Sequence, residues 1–162
     1  MDFFLRQTLY NFALCIFVSL VKRRKIFNPL KVMKRVYDFL KEAKVYHLAT
    51  FDGVQARVRP FGTIHLYDGR LYIMTKSGKH VSDQMKQYPQ VELTAMRGDD
   101  WIRVTCCVTL DPRREAVASM VNAHPHLAQF YRADDPATEV FYLSHATAII
   151  YSDTPTPLTI TF

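Results

Sequence analysis

Ala56-Arg-Val-Arg-Pro-Phe-Gly62 and, beyond it, Leu71-Tyr-Ile-Met-Thr-Lys-Ser-Gly-Lys79 decide how this chain folds. Alternate residues of a strand point to one face, so Arg57 and Arg59 aim together. Asp68-Gly69 reads as a hairpin turn that pairs the arginine strand with the one ending at Thr75. Thr75, Lys76, Ser77 and Lys79 then gather at the mouth of that hairpin. A basic, hydroxyl-bearing pocket of this kind suits a phosphate. The charges alone fit a solvated basic edge equally well.

The flanking sequence supplies the rest of a sheet. Val45–Thr50 reads as a strand, Asp52-Gly53 as a turn and Val54–Leu66 as one long strand. Two Asp-Gly turns between alternating runs predict an antiparallel meander. A helix precedes it: Asn28 caps, Pro29 takes the first helical position, and Leu30, Met33, Val36, Tyr37 and Leu40 recur at helical spacing. After Lys79 the pattern predicts a short helix over His80–Gln87, then strands over Val91–Met96 and Trp101–Leu110. A helix opened by Asp111-Pro112 follows, with a helical turn over Leu127–Tyr131. A sixth strand over Glu139–Tyr151 comes last, and Asp153–Phe162 reads as a tail rich in Pro and Thr. The fold class is therefore mainly β with short helices, a six-stranded antiparallel closed or split barrel, since closure removes vulnerable edges. The expected division is an apolar and basic appendage over 1–27, one domain over 28–152 and a tail over 153–162.

Composition narrows the function. The 162 residues, 49% hydrophobic and 22% charged, make one ordinary globular domain. The net charge of +6 is local: residues 1–32 hold six cations against Asp2 alone, which leaves a surplus of one for the remainder. The body has no basic stripe with which to follow a nucleic-acid backbone. Leu9–Val21 is apolar but shorter than the roughly 20 residues a bilayer-spanning helix needs. Its cations follow the apolar run, the reverse of a signal peptide. An appendage without a chemical role is the favoured reading; a membrane-surface anchor through residues 1–25 is the alternative. Cys15, Cys106 and Cys107 form no disulfide framework and no metal spacing, so they read as small apolar residues in a reducing, cytoplasmic setting. His47, His65, His80 and the His124-Pro-His126 run lack a third ligand, so no metal is expected.

The ordered set Val45-Tyr-His-Leu-Ala-Thr50, Arg59-Pro-Phe61, Leu71-Tyr-Ile-Met-Thr75, Lys79, Gln84–Leu93 and Trp101-Ile-Arg-Val104 resembles the FMN-binding split barrels of the pyridoxamine 5'-phosphate oxidase-like superfamily. The likeness runs over about residues 30–152. It implies a homodimer that holds two FMN molecules at the subunit interface. It implies that the strand Arg59–Thr63, with Pro60 and Phe61, lies along the flavin, with Arg59 reaching the phosphate, and that Met74 and Thr75 touch the flavin at a strand end. It implies a phosphate contact for Lys79, with Arg57 and Ser77 as further candidates, and a flavin-side role for Trp101 supplied across the interface. The Thr75-to-Lys79 spacing is compressed relative to that family, which leaves open whether Lys76 or Ser77 fills the vacant position.

The resemblance also sets the functional expectation. Thr154–Phe162 carries no Arg-x-His-like segment of the true pyridoxamine-phosphate oxidases, so vitamin B6 oxidation is not expected. An FMN-dependent oxidoreductase acting on a small molecule (a quinone, nitroaromatic or free flavin) is the first reading; no catalytic acid or base is assigned. A non-enzymatic FMN or haem binder that stores or senses its ligand is the alternative, and a deazaflavin coenzyme in place of FMN is a variant of the first.

Overall fold

The computed structural model describes residues 29–162. The expectations for Asn28, for the 1–27 appendage with Cys15, and for its membrane contact fall outside the described residues. The elements run α1 (Pro29–Ala43), β1 (Tyr46–Phe51), β2 (Ala56–Phe61), β3 (His65–Tyr67), β4 (Arg70–Lys76) and α2 (His80–Gln87). They continue with β5 (Gln90–Arg97), β6 (Asp100–Asp111), α3 (Arg114–Ala123), a 3-10 turn (Pro125–Leu127), β7 (Thr138–Tyr151) and β8 (Leu158–Thr161). Mainly β architecture with short helices is thus the observed class, but with eight strands among the described residues where the sequence predicts six.

Both extra strands have a local cause. The expected strand Val54–Leu66 breaks at Gly62, Thr63 and Ile64 into β2 and β3, which pair with different neighbours. The supposed tail contributes β8, which buries Ile160 and pairs with Thr147–Ile150 of β7. Helix starts shift too. Asp111 ends β6 rather than capping α3, and the turn predicted at Leu127–Tyr131, closed by the Tyr131 N–H donating to Leu127 O (3.0 Å), is preceded by a 3-10 turn at Pro125–Leu127.

Pairing is antiparallel throughout, in the order β2-β1-β5-β6-β7-β4-β3. β2 and β3 are therefore the two opposite edges, although only three residues separate them in sequence. Six interstrand spacings in a flat sheet would put the edges roughly 29 Å apart. The four Cα steps from Phe61 to His65 reach at most about 14 Å. The sheet must curl until its edges face each other. They meet without pairing to each other, so the barrel stays split; the arginine strand β2 makes the pairing with β1 that the meander predicts, but the predicted pairing with β4 is made by β3 instead.

The inner face of the curl carries the main core, including Tyr46, Leu48, Ile73, Leu93, Ile102, Val104 and Phe141. The buried side of α1, with Val36, Phe39 and Leu40, packs into the same core. A second apolar cluster joins Tyr72, Met74 and Val140 on the other face of β4 and β7 to Ala116, Val117 and Met120 of α3. Cys106 is buried in the main core, where desolvation pushes its thiol up to about 12, and Cys107 is half-buried beyond a register shift. Both fit the packing role expected of them.

At the β6–α3 corner the buried Asp111 carboxylate accepts from Tyr72 Oη (2.9 Å) and from Arg113 Nη2 (2.8 Å) and backbone N (3.0 Å). The Arg113 bonds outweigh burial and hold Asp111 down at about 2, against an ordinary 3.8. A depressed carboxylate contributes stability above its unfolded pKa and loses it as pH falls through its folded pKa. Wild type is therefore expected to lose its advantage over Asp111→Asn between about pH 4 and 2. Acid-unfolding curves check this, and a constant difference between the two proteins across that window would refute it.

Candidate cofactor cleft

The split leaves a cleft of about 750 Å³, within the range of small-molecule and cofactor sites. One wall is the end of β2 with the crossing that follows it: Arg59, Pro60, Phe61, Gly62 and Thr63. The facing wall is the end of β4 and the start of α2: Met74, Thr75, Lys76, Lys79 and Val81. The segment after α3 closes a third side with His126, Leu127, Gln129, Phe130 and Tyr131.

Thr63 marks where the two edges meet. Its buried hydroxyl accepts from the Met74 N–H (3.1 Å) and donates to the Met74 carbonyl (3.4 Å), standing in for a missing strand partner. Thr63→Val should leave both buried backbone groups unsatisfied and cost about 1–3 kcal/mol. Urea denaturation reads this directly; an unmoved midpoint would mean the hydroxyl is dispensable.

Three cations line the cleft, and they differ in how they are held. Lys76 is paired with Asp135 (2.9 Å), which ties the third wall to β4. Lys79, at the N-cap of α2, faces the Tyr131 ring at 5.8 Å, and no carboxylate among the described residues pairs with it. Beside it the His80 and Val81 N–H groups meet no backbone acceptor among the described residues, as expected of a helix start. Arg59 is half-buried and, among the described residues, fixed by neutral oxygens only: Leu48 O, Arg57 O, Thr50 Oγ1 and Gln84 Oε1, at 2.6–3.1 Å. Burial, and secondarily the Arg57 charge, lower its pKa from the ordinary value. A guanidinium nevertheless stays cationic.

Of the residues singled out by sequence, Arg59, Pro60, Phe61, Met74, Thr75 and Lys79 meet in this cleft. Arg57, Ser77 and Trp101 do not line it. Arg57 shares a strand face with Arg59, but Asp52 in the preceding turn takes its Nε at 2.6 Å. Ser77 is exposed and its N–H is spent on Ala137 O, so Lys76 rather than Ser77 lines the cleft. Trp101 stacks on Tyr151 with ring centroids 3.9 Å apart. Thr63, at the end of the segment implied to lie along the flavin, lines the cleft as well, whereas the sequence reading overlooked the 126–131 wall, whose signal was an aromatic pair in a loop that opens with proline. Elsewhere His65 Nε2 bonds Ser119 Oγ (2.8 Å) and His124 Nδ1 lies 3.0 Å from Met120 O. Among the described residues no cluster suits a metal ion, and no helix is long and apolar enough to cross a membrane.

No protein-family model and no curated protein matches the chain. Among solved structures, a NimC/NimA family protein from Clostridium acetobutylicum is 39% identical. That match covers 82% of this chain and 94% of that one, with a TM-score of 0.79. A protein related to general stress protein 26, of the pyridoxinephosphate oxidase family and from the same organism, shares the fold at 11% identity. It covers 84% and 97% of the two chains with a TM-score of 0.58. The haem storage protein of Vibrio cholerae shares it at 12% identity, over 69% and 88%, with a TM-score of 0.55. With the NimC/NimA identity extending over nearly the whole of the relative, and the split barrel formed as described, the chain belongs to the NimC/NimA family of pyridoxamine 5'-phosphate oxidase-like split barrels.

Proposed function

We propose that the cleft binds FMN and that the protein is an FMN-dependent oxidoreductase acting on a small molecule such as a quinone, a nitroaromatic or a free flavin. The observation that carries this reading is the polarity of the cleft. Arg59 and Lys79 bring two cations without carboxylate partners among the described residues, while Phe61, Met74, Leu127 and Phe130 supply apolar wall. That donor set fits a group with a phosphate of charge about −2 at one end and a flat apolar ring at the other.

When bound, the flavin supplies the hydride and electron transfer. The chain's own residues bind and orient it. Arg59, Lys79 and the α2 amides would hold the phosphate; Phe61, Pro60 and Met74 would lie along the ring and exclude water from it. Phe130, 58% exposed on the third wall, is placed to meet a second ligand. The assembly belongs to the same proposal: a homodimer with the flavin at its interface. The exposure of Val58 on the edge strand β2 (63%) and of Val54 in the turn before it (88%) supports it.

A second reading has one observation in its favour. His126 lies on the cleft wall, and an imidazole there is a candidate axial ligand for haem. The visible spectrum after adding FMN and desalting, with native mass on the same sample, separates the two. Flavin bands at one per subunit in a dimer are expected. A Soret band from haem added instead, lost in His126→Ala, would favour the second reading. Oxidation of a reduced nicotinamide by the flavin-loaded protein would distinguish turnover from storage.

A further inference from the structure

Arg59 is held by an unusual set of partners. Nη1 donates to Thr50 Oγ1 (2.6 Å), Leu48 O (3.1 Å) and Arg57 O (2.9 Å), and Nη2 donates to Gln84 Oε1 (2.8 Å). Gln84 Oε1 also accepts from Thr50 Oγ1 at 2.6 Å, which closes a triangle of Arg59, Thr50 and Gln84. The three come from different elements, β2, β1 and α2, and the triangle is half-buried. A partly buried guanidinium ordinarily finds a carboxylate. Here every acceptor is neutral, and no acceptor among the described residues engages Arg59 Nε or the Gln84 amide nitrogen.

We propose that Gln84, braced by Thr50, is a positioning residue that fixes the Arg59 guanidinium at the cleft while leaving its positive charge for an anionic ligand. The inference rests on the phosphate-binding reading and goes one step further, because it assigns a function to the neutrality of residue 84. A carboxylate there would hold Arg59 equally well. It would also neutralise it, so that a bound phosphate monoester would meet an ion pair instead of a free cation. Gln84 is thus a specificity element for phosphorylated over unphosphorylated ligands, although it is not expected to touch the ligand.

The Gln84→Glu change suits the test, because the amide nitrogen it replaces has no protein partner among the described residues and both existing acceptor bonds survive. FMN and riboflavin share a ring system and differ in the phosphate, so the pair isolates the charge. Fluorescence titrations of both ligands with wild type, Gln84→Glu and Gln84→Met are the experiment. Wild type should prefer FMN. Gln84→Glu should weaken FMN by roughly tenfold or more, the scale of a charged hydrogen bond, and leave riboflavin unchanged. Gln84→Met removes the brace but keeps the cation, and should fall between the two. A merely structural role gives the reverse order, with Met worse than Glu and both ligands affected alike, and that result would overturn the proposal. Undiminished FMN preference in Gln84→Glu would also overturn it, while the phosphate reading stands. Equal wild-type affinity for FMN and riboflavin would remove both. If Gln84→Glu fails to fold, Gln84→Met still decides: FMN weakened with riboflavin unchanged supports the brace, and any other pattern refutes it.

Discussion

Arg59→Ala and Lys79→Ala should each weaken FMN binding by about 1.5–3 kcal/mol, with Arg59 toward the upper end. The ranking follows from how each cation is held. Arg59 arrives with its guanidinium already fixed by four neutral oxygens, so little side-chain entropy is lost when a ligand forms a bond with it. Lys79 is exposed, faces the Tyr131 ring and pairs with no carboxylate among the described residues, so ordering its stem opposes the gain and salt screens it more. Titrations at low and high ionic strength check both points: the Lys79 contribution should shrink more with salt than that of Arg59. Unchanged affinity in both variants would remove the phosphate site.

Phe39→Ala should carry the largest stability loss among the single changes considered, about 3–5 kcal/mol. Phe39 is fully buried on α1 beneath the sheet, and the Arg97 guanidinium lies over its ring at 4.3 Å. Arg97 is in turn paired with Glu42 of α1 (2.9 Å) and Asp100 (3.1 Å). Truncation opens a cavity and removes the platform on which that cation rests, so the ion pairs do not compensate. Denaturant unfolding reads the loss. Residues of α1 do not line the cleft, so flavin affinity of the folded fraction should not change. A small stability loss would mean that α1 docks only weakly on the sheet.

These results divide along a line that was partly visible in the sequence. His80–Gln87 forms the helix expected between those residues, and both Asp-Gly pairs sit in turns, because their signals are local. Strand order was not legible. Nothing near Arg59 in sequence reveals that β2 leaves its neighbour at Gly62 and becomes the opposite edge from β3; that depends on β1 pairing with β5, more than 40 residues away. Arg57 and Arg59 looked equivalent because strand alternation makes them so. They part company because Asp52, in the preceding turn, captures one, while Gln84, on a distant helix, braces the other. β8 was hidden by Pro155 and Pro157, which make the C-terminal segment read as a tail although Leu158–Thr161 alternates as a strand should. The 126–131 wall was invisible for a different reason. Its place is set by the Lys76–Asp135 pair and the lysine-facing Tyr131 ring, contacts between segments more than 50 residues apart.

The three-residue crossing from β2 to β3 makes the cleft a sensor of the whole sheet. Its two main walls are β2, at one end of the pairing order, and β4, next to the other end, so they face each other only when the ladders between them are in place. A ligand that touches both walls binds the native chain and has almost nothing to grip in the denatured one. Mass action then adds about 2.7 kcal/mol of apparent stability at a free ligand concentration one hundred times Kd. A thermal-shift screen against a small-molecule library therefore doubles as a search for the natural ligand, because any compound that spans the seam raises the melting temperature of the entire barrel.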